Sequence, residues 1–172
     1  MKATVTVLAL AAALVCAPPA VWAQGHDDKE HAELAKALKD TRLPLERGIS
    51  ASTKEGTPIS AKYEVEDGKL QLSVYTMKAA EKFSEVIVDH KKGNIAKSGP
   101  ITQGDDLTHA KAQSEAMAKA KRSLQAAASS AVKQNKGFRA VSVMPSMKDG
   151  HPVADVTLLK GEEWKTVSEK LD

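Results

Sequence analysis

The chain has 172 residues, a formal charge of +3 at neutral pH, a single cysteine, and two each of Phe, Tyr and Trp. That length suits one ordinary domain or two small units, and so balanced a charge gives no argument for nucleic acid. With aromatics this scarce the core must be aliphatic and alanine-rich, and the base-stacking platforms of single-strand binders are missing.

Lys2 precedes an apolar run from Val5 to Val15, which Pro18-Pro19 breaks before Val21-Trp22-Ala23. A positive start, a short apolar stretch and an A-x-A-like end form a secretory signal over residues 1–23. Cleavage after Ala23 would release a chain beginning at Gln24 into a periplasm or the medium. No later apolar run is long enough for a transmembrane anchor. Cys16 leaves with the signal, so the exported chain would carry no disulfide, no thiolate metal site and no cysteine nucleophile. Lipid attachment at Cys16 is the lesser reading, because Val15 is bulkier than the small residue such sites carry.

Asp27-Asp28-Lys29-Glu30 resembles a capped helix start, and His31, Leu34, Ala35 and Leu38 then share one helical face. Pro44 opens a second short helix with Leu45 and Ile49 one turn apart, and Gly56 is placed to end it. The period then changes. Ile59, Ala61, Tyr63 and Val65 alternate with polar residues as in a half-buried strand. Asp67-Gly68 makes a hairpin turn, and Leu70, Leu72 and Val74 alternate on the return. Phe83 to Asp89 forms a third strand, closed by Asp89-His90-Lys91-Lys92-Gly93. Lys97 to Asp106, with Gly99-Pro100 and Gly104, reads as a linker. Asp106 then caps one long helix from Leu107 to about Lys136, with Met117, Ala120, Leu124, Ala127 and Ala131 as its apolar stripe. Three more strands follow Gly137: Phe138 to Met144, Val153 to Leu159, and Glu163 to Val167.

The halves correspond. Leu45, Lys54, Ile59 and Ala61 match Leu124, Lys133, Phe138 and Ala140 at an offset of 79; Asp67-Gly68 matches Asp149-Gly150 at 82; Phe83 matches Trp164 at 81. The expected fold is therefore α+β, a helix packed on a three-stranded antiparallel sheet, duplicated over residues 24–100 and 107–172.

Leu45-Glu46-Arg47-Gly48-Ile49, the run from Ile59 to Lys69, and the run from Phe83 to Ile95, with Asp89, Gly93 and Ile95 at its end, resemble a PepSY domain. The second half matches less well, because Glu163 to Asp172 stops before an equivalent aspartate–glycine ending. Gly48 stands where that family usually has alanine. The resemblance implies a small exported protein that restrains or chaperones a peptidase, with no catalytic residues and no cofactor.

The residues themselves offer little chemistry. There is no G-x-S-x-G elbow and no phosphate-cradling glycine motif. The acidic pairs Asp27-Asp28, Glu66-Asp67, Asp105-Asp106 and Glu162-Glu163 fall at turns or helix starts, where free backbone N–H groups explain them. His26, His31, His90, His109 and His151 are dispersed. After cleavage, Gln24-Gly25-His26 would offer an amine, two amide nitrogens and an imidazole to Cu(II) or Ni(II), against the plainer reading of a frayed terminus. The lysines of the long helix, Lys111, Lys119, Lys121, Lys133 and Lys136 with Arg122, fit a solvated face better than a membrane-binding one, since its stripe lacks large apolar residues. The chain is thus expected to be an exported non-enzymatic binding module whose partner is a peptidase or another protein. The alternative is a periplasmic small-ligand or metal-binding protein.

Overall fold

The computed structural model describes residues 21–79 and 81–172, with the backbone alone for residues 21–28. The signal sequence expected at residues 1–23 therefore lies almost wholly outside the described residues. Only Val21–Ala23 enter, as the start of the first helix.

Helices α1 (Val21–Ala37) and α2 (Leu45–Ser52), joined by a 3-10 turn at Leu38–Asp40, precede strands β1 (Thr57–Glu66), β2 (Lys69–Lys78), β3 (Lys82–Val88) and β4 (Ile95–Ile101). Helices α3 (Gly104–Lys119) and α4 (Leu124–Gln134) follow, then β5 (Arg139–Lys148), β6 (His151–Lys160) and β7 (Glu163–Lys170). All seven strands form one antiparallel sheet in the order β4-β3-β2-β1-β5-β6-β7.

This corrects the expected architecture. The chain is not a helix on a three-stranded sheet repeated twice. Among the described residues it is a single seven-stranded sheet with four helices shared between its faces, and β1 pairs with β5 at its centre, Ala61 opposite Val143 and Lys62 opposite Ser142. Neither half could bury both faces of its own sheet, and joining β1 to β5 removes two edges at once. The stretch from Lys97 is not a linker either, since β4 pairs there with β3. Its polar, Gly-Pro-containing sequence fits an edge strand, where one row of backbone groups faces water.

The expected single long helix is two. Its apolar period runs unbroken, but Ala120 is extended and Ser123 caps α4, its hydroxyl accepting from the Ala126 amide at 3.2 Å. The freed amides of Lys121 and Arg122 donate to the Leu171 carbonyl at 2.7 and 3.0 Å. The break lets the chain cross the sheet edge, so that α3 and α4 cover opposite faces.

On one face, Leu45, Gly48, Ile49 and Ser52 of α2 and Leu124, Ala127, Ala128 and Ala131 of α4 are buried. They meet Ala61, Tyr63, Leu72, Val74, Val143 and Val156. The two buried sets match residue for residue at an offset of 79. The strands use a different offset. β1 is irregular at Ile59 and β5 at Val141, and the two hairpin turns Asp67-Gly68 and Asp149-Gly150 share φ near 50° for the aspartate. Each of these pairs is 82 apart. The alignment of Ile59 with Phe138 and Ala61 with Ala140 is thus three residues out of register, because α4 runs for 11 residues where α2 runs for 8. On the other face, Ile59, Phe83, Tyr75, Met77 and Ile101 pack on Leu107, Ala110 and Met117 of α3.

Gly48 has a local reason. A Cβ there would meet Leu72 Cδ2 and lie 3.1 Å from Leu72 Cγ, and Leu72 is fully buried. The α4 counterpart of Gly48 is Ala127, and the β6 counterpart of Leu72 is Ala154. Glycine against leucine in one half stands where alanine and alanine stand in the other.

Candidate functional site: the cleft beside Trp164

Trp164 is the second residue of β7, paired with Leu159 of β6. Alternation along β7 puts it on the opposite face from Val167, the face that α3 also covers. His31 of α1 stacks on its ring, with centroids 4.3 Å apart and planes inclined by 16°. α1 is thereby held off the sheet, and two clefts open beside the stack. One, of about 470 Å³, is lined by His31, Ala35, Lys36, Lys39, Glu162 and Trp164. The other, of about 570 Å³, runs beneath α1 and is floored by Lys62, Glu64, Ser142, Met144 and Thr157. Lys62 and Glu64 form an ion pair at 2.5 Å on that floor. An aromatic plane flanked on both sides by lysines and carboxylates is suited to grip a mixed apolar and charged surface.

Other polar groups are taken up by the fold. Asp106, expected to cap a helix from Leu107, instead sits in the first turn of α3 and accepts from the Tyr75 hydroxyl at 2.7 Å. Burial, then this hydrogen bond and the Asp106 charge, push the Tyr75 phenol well above its ordinary value. The Asp89 carboxylate accepts the amides of Lys91 and Lys92 at 2.9 and 3.0 Å, and those bonds hold it below the usual carboxylate range. Asp155 is opposed by burial, yet hydrogen bonds from Lys148 and Ser168 still lower it. Glu66-Asp67 lies at the β1–β2 turn, Asp105-Asp106 in the first turn of α3 and Glu162-Glu163 at the β6–β7 turn. The side chains of Asp27 and Asp28 lie outside the described residues, and their backbone continues α1 without a break.

Among the described side chains the histidines are not gathered. His31 stacks on Trp164, His90 follows β3 with its carbonyl accepting from the Thr41 hydroxyl, His109 is exposed on α3, and His151 meets Asp172 at 2.5 Å. The Gln24-Gly25-His26 backbone lies inside α1, so a square-planar nitrogen set there needs that turn unwound. Among the described residues no three of His, Cys, Asp or Glu converge on a point that could hold a metal ion. No described helix is long and apolar enough to cross a membrane. The expected basic helix face is divided. Lys111 and Lys119 project from α3 and Lys133 from α4, while Arg122 in the break binds Glu169 at 3.3 Å and the Lys170 carbonyl at 2.6 Å.

The sequence named His31, Trp164 and Glu162 separately and did not join them into a site. Trp164 and His31 are 133 positions apart, and only the sheet order brings them together. The one local signal was a tryptophan in a strand whose other residues, Val167 apart, are charged or carry hydroxyls.

Comparison of the chain with protein-family models, with curated proteins and with solved structures finds no match.

Proposed function

We propose that this chain is an exported, non-enzymatic binding module of PepSY type, which restrains or steadies a peptidase by contact at the Trp164 cleft. The observation that carries the reading is the His31–Trp164 stack. It leaves a large aromatic partly exposed at the meeting of two clefts, bordered by Lys36, Lys39, Glu162 and the Lys62–Glu64 pair. A tryptophan within a polar rim is the kind of anchor on which contact surfaces draw for affinity. The PepSY resemblance of residues 45–95 supplies the peptidase as partner, and the signal-like residues 1–23 supply the export.

The test is an activity titration. The chain lacking residues 1–23 is added to a thermolysin-like metallopeptidase and the hydrolysis of a peptide substrate is followed. Activity should fall with added protein, or survive longer on heating, and Trp164→Ala should weaken the effect at least tenfold. A peptidase whose rate and heat resistance are indifferent to the added chain removes this reading.

A further inference from the structure

The sheet ends on two strands of opposite character. At β4 the free edge is blunted. Its register slips between Ile87 and Val88 of the neighbouring strand, and Gly99-Pro100 interrupts it, proline lacking an amide to donate. β7 has neither device. It pairs with β6 through eight consecutive residues with no register shift, and Glu163, Lys165, Thr166, Ser168 and Lys170 are exposed.

The two-residue turn at Gly161-Glu162 fixes which backbone groups of β7 point outward. In such a hairpin the flanking pair, here Lys160 and Glu163, exchanges both of its hydrogen bonds. Counting on, Trp164, Thr166, Ser168 and Lys170 turn their N–H and C=O groups away from β6. An added strand would therefore hydrogen-bond to Trp164, Thr166 and Ser168 and to the amide of Lys170, whose carbonyl already accepts from Arg122 at 2.6 Å.

We propose that the occupant of this edge is β7 of a second copy of the chain, paired antiparallel about a two-fold axis at Val167, so that two sheets become one. The strand's own sequence selects this register. A two-fold axis normal to the sheet keeps each side chain on its face and so pairs residues of like parity. With the axis at Val167, Lys165 of each copy lies opposite Glu169 of the other, Thr166 opposite Ser168, Trp164 opposite Lys170, and Val167 opposite itself. Opposite charges, hydroxyl pairs and apolar pairs directly across a ladder are the favourable combinations, and lysine beside tryptophan adds a cation–π contact. The outward-turned residues pair with one another, as the hydrogen-bond alternation requires. Moving the axis to Thr166 sets Glu163 against Glu169 and moving it to Lys165 sets lysine against lysine, while moving it to Ser168 sets Val167 against Glu169 and Lys165 against Leu171, so none of these registers keeps the Lys165–Glu169 pairs. α4 packs across β5, β6 and β7 and reaches β1, so it is centred between β5 and β6. Two copies of α4 would stand about four strand spacings apart, about 19 Å, which exceeds the roughly 10 Å width of a helix.

The test is sedimentation of the chain and of a charge-swapped pair. Wild type should sediment as two copies at micromolar to hundreds of micromolar concentration. Lys165→Glu and Glu169→Lys each put two like-charge pairs into the joint, and each alone should raise the dissociation constant more than about tenfold. Mixed in equal amounts they restore two Lys–Glu pairs and should recover the two-copy species. Thr166→Pro keeps every charge, removes one outward amide without touching the β6 ladder, and should sediment as one copy. A wild-type chain that stays single over the whole range, a two-copy species that survives Thr166→Pro, or variants that do not rejoin on mixing would each overturn the pairing.

Discussion

The guanidinium of Arg139, the first residue of β5, lies over the ring of Tyr63 in β1, 5.5 Å from its centroid. It donates to the carbonyls of Leu38, Thr41 and Leu43 at 3.3, 2.9 and 2.9 Å, and the Tyr63 hydroxyl donates to the same Leu43 carbonyl at 2.7 Å. A residue from the second half thereby orders the backbone between α1 and α2 in the first.

Arg139→Ala should lower unfolding free energy by about 2–4 kcal/mol, since three partly buried carbonyls lose a charged donor at once. Arg139→Lys should recover only part of this, because a single ammonium cannot reproduce the planar fork. Urea unfolding of the three proteins checks both, and equal midpoints for arginine and alanine would contradict the bracing role.

Gly48→Ala should destabilise the protein although alanine is the better helix former. The helical gain is about 1 kcal/mol, while forcing a methyl group onto the fully buried Leu72 costs roughly 1–3 kcal/mol. Adding Leu72→Val should return much of the loss. Thermal unfolding of the single and double variants decides it, and a single variant more stable than wild type would sink the account.

Stability should fall on the alkaline side. Burial raises the Tyr63 phenol above its ordinary value, with the Arg139 charge acting against this, and burial followed by the Asp106 hydrogen bond raises Tyr75. A phenol whose folded pKa exceeds its unfolded one favours the folded state fully below about pH 10 and loses that contribution as pH rises through the folded value. Tyr75→Phe should flatten the decline between about pH 10 and 12. A decline of unchanged slope in that variant would assign it elsewhere.

Asp155 works with the opposite sign. Its carboxyl is lowered by Lys148, 2.9 Å away, and by Ser168, despite burial. A carboxylate with a depressed folded pKa stabilises above its unfolded value, about 3.9, and the contribution disappears as pH drops through the folded value. Asp155→Asn should therefore cost stability at pH 7 and little at pH 2. A cost equal at both pH values would show that charge is not its source.

Much of the fold was legible locally. Asp67-Gly68 and Asp149-Gly150 announce two hairpins because both residues of each turn adopt positive φ. Pro44 announces the helix that starts at Leu45. What stayed hidden depends on distant partners. The break at Ala120 is set by the Leu171 carbonyl, fifty residues on, and an alanine-rich run gives no local reason for it. β4 was obscured by Gly99-Pro100, which reads as a linker until β3 is beside it. The joining of β1 to β5 rests on Ala61 and Val143, two apolar residues that would fit equally well in the middle of separate sheets. The Trp164 cleft inherits that difficulty, because the strand order decides which helix lies over the ring.

The central seam also sets the order in which the chain can assemble. β1 through β4 and β5 through β7 each form by short local turns, but Ala61 must find Val143 across 82 positions. Closing that long loop carries the entropic cost that slows folding, so the two meanders should form early and the seam late. Refolding kinetics would show it: Val143→Ala should chiefly accelerate unfolding, whereas Leu72→Ala, inside the first meander, should chiefly slow refolding.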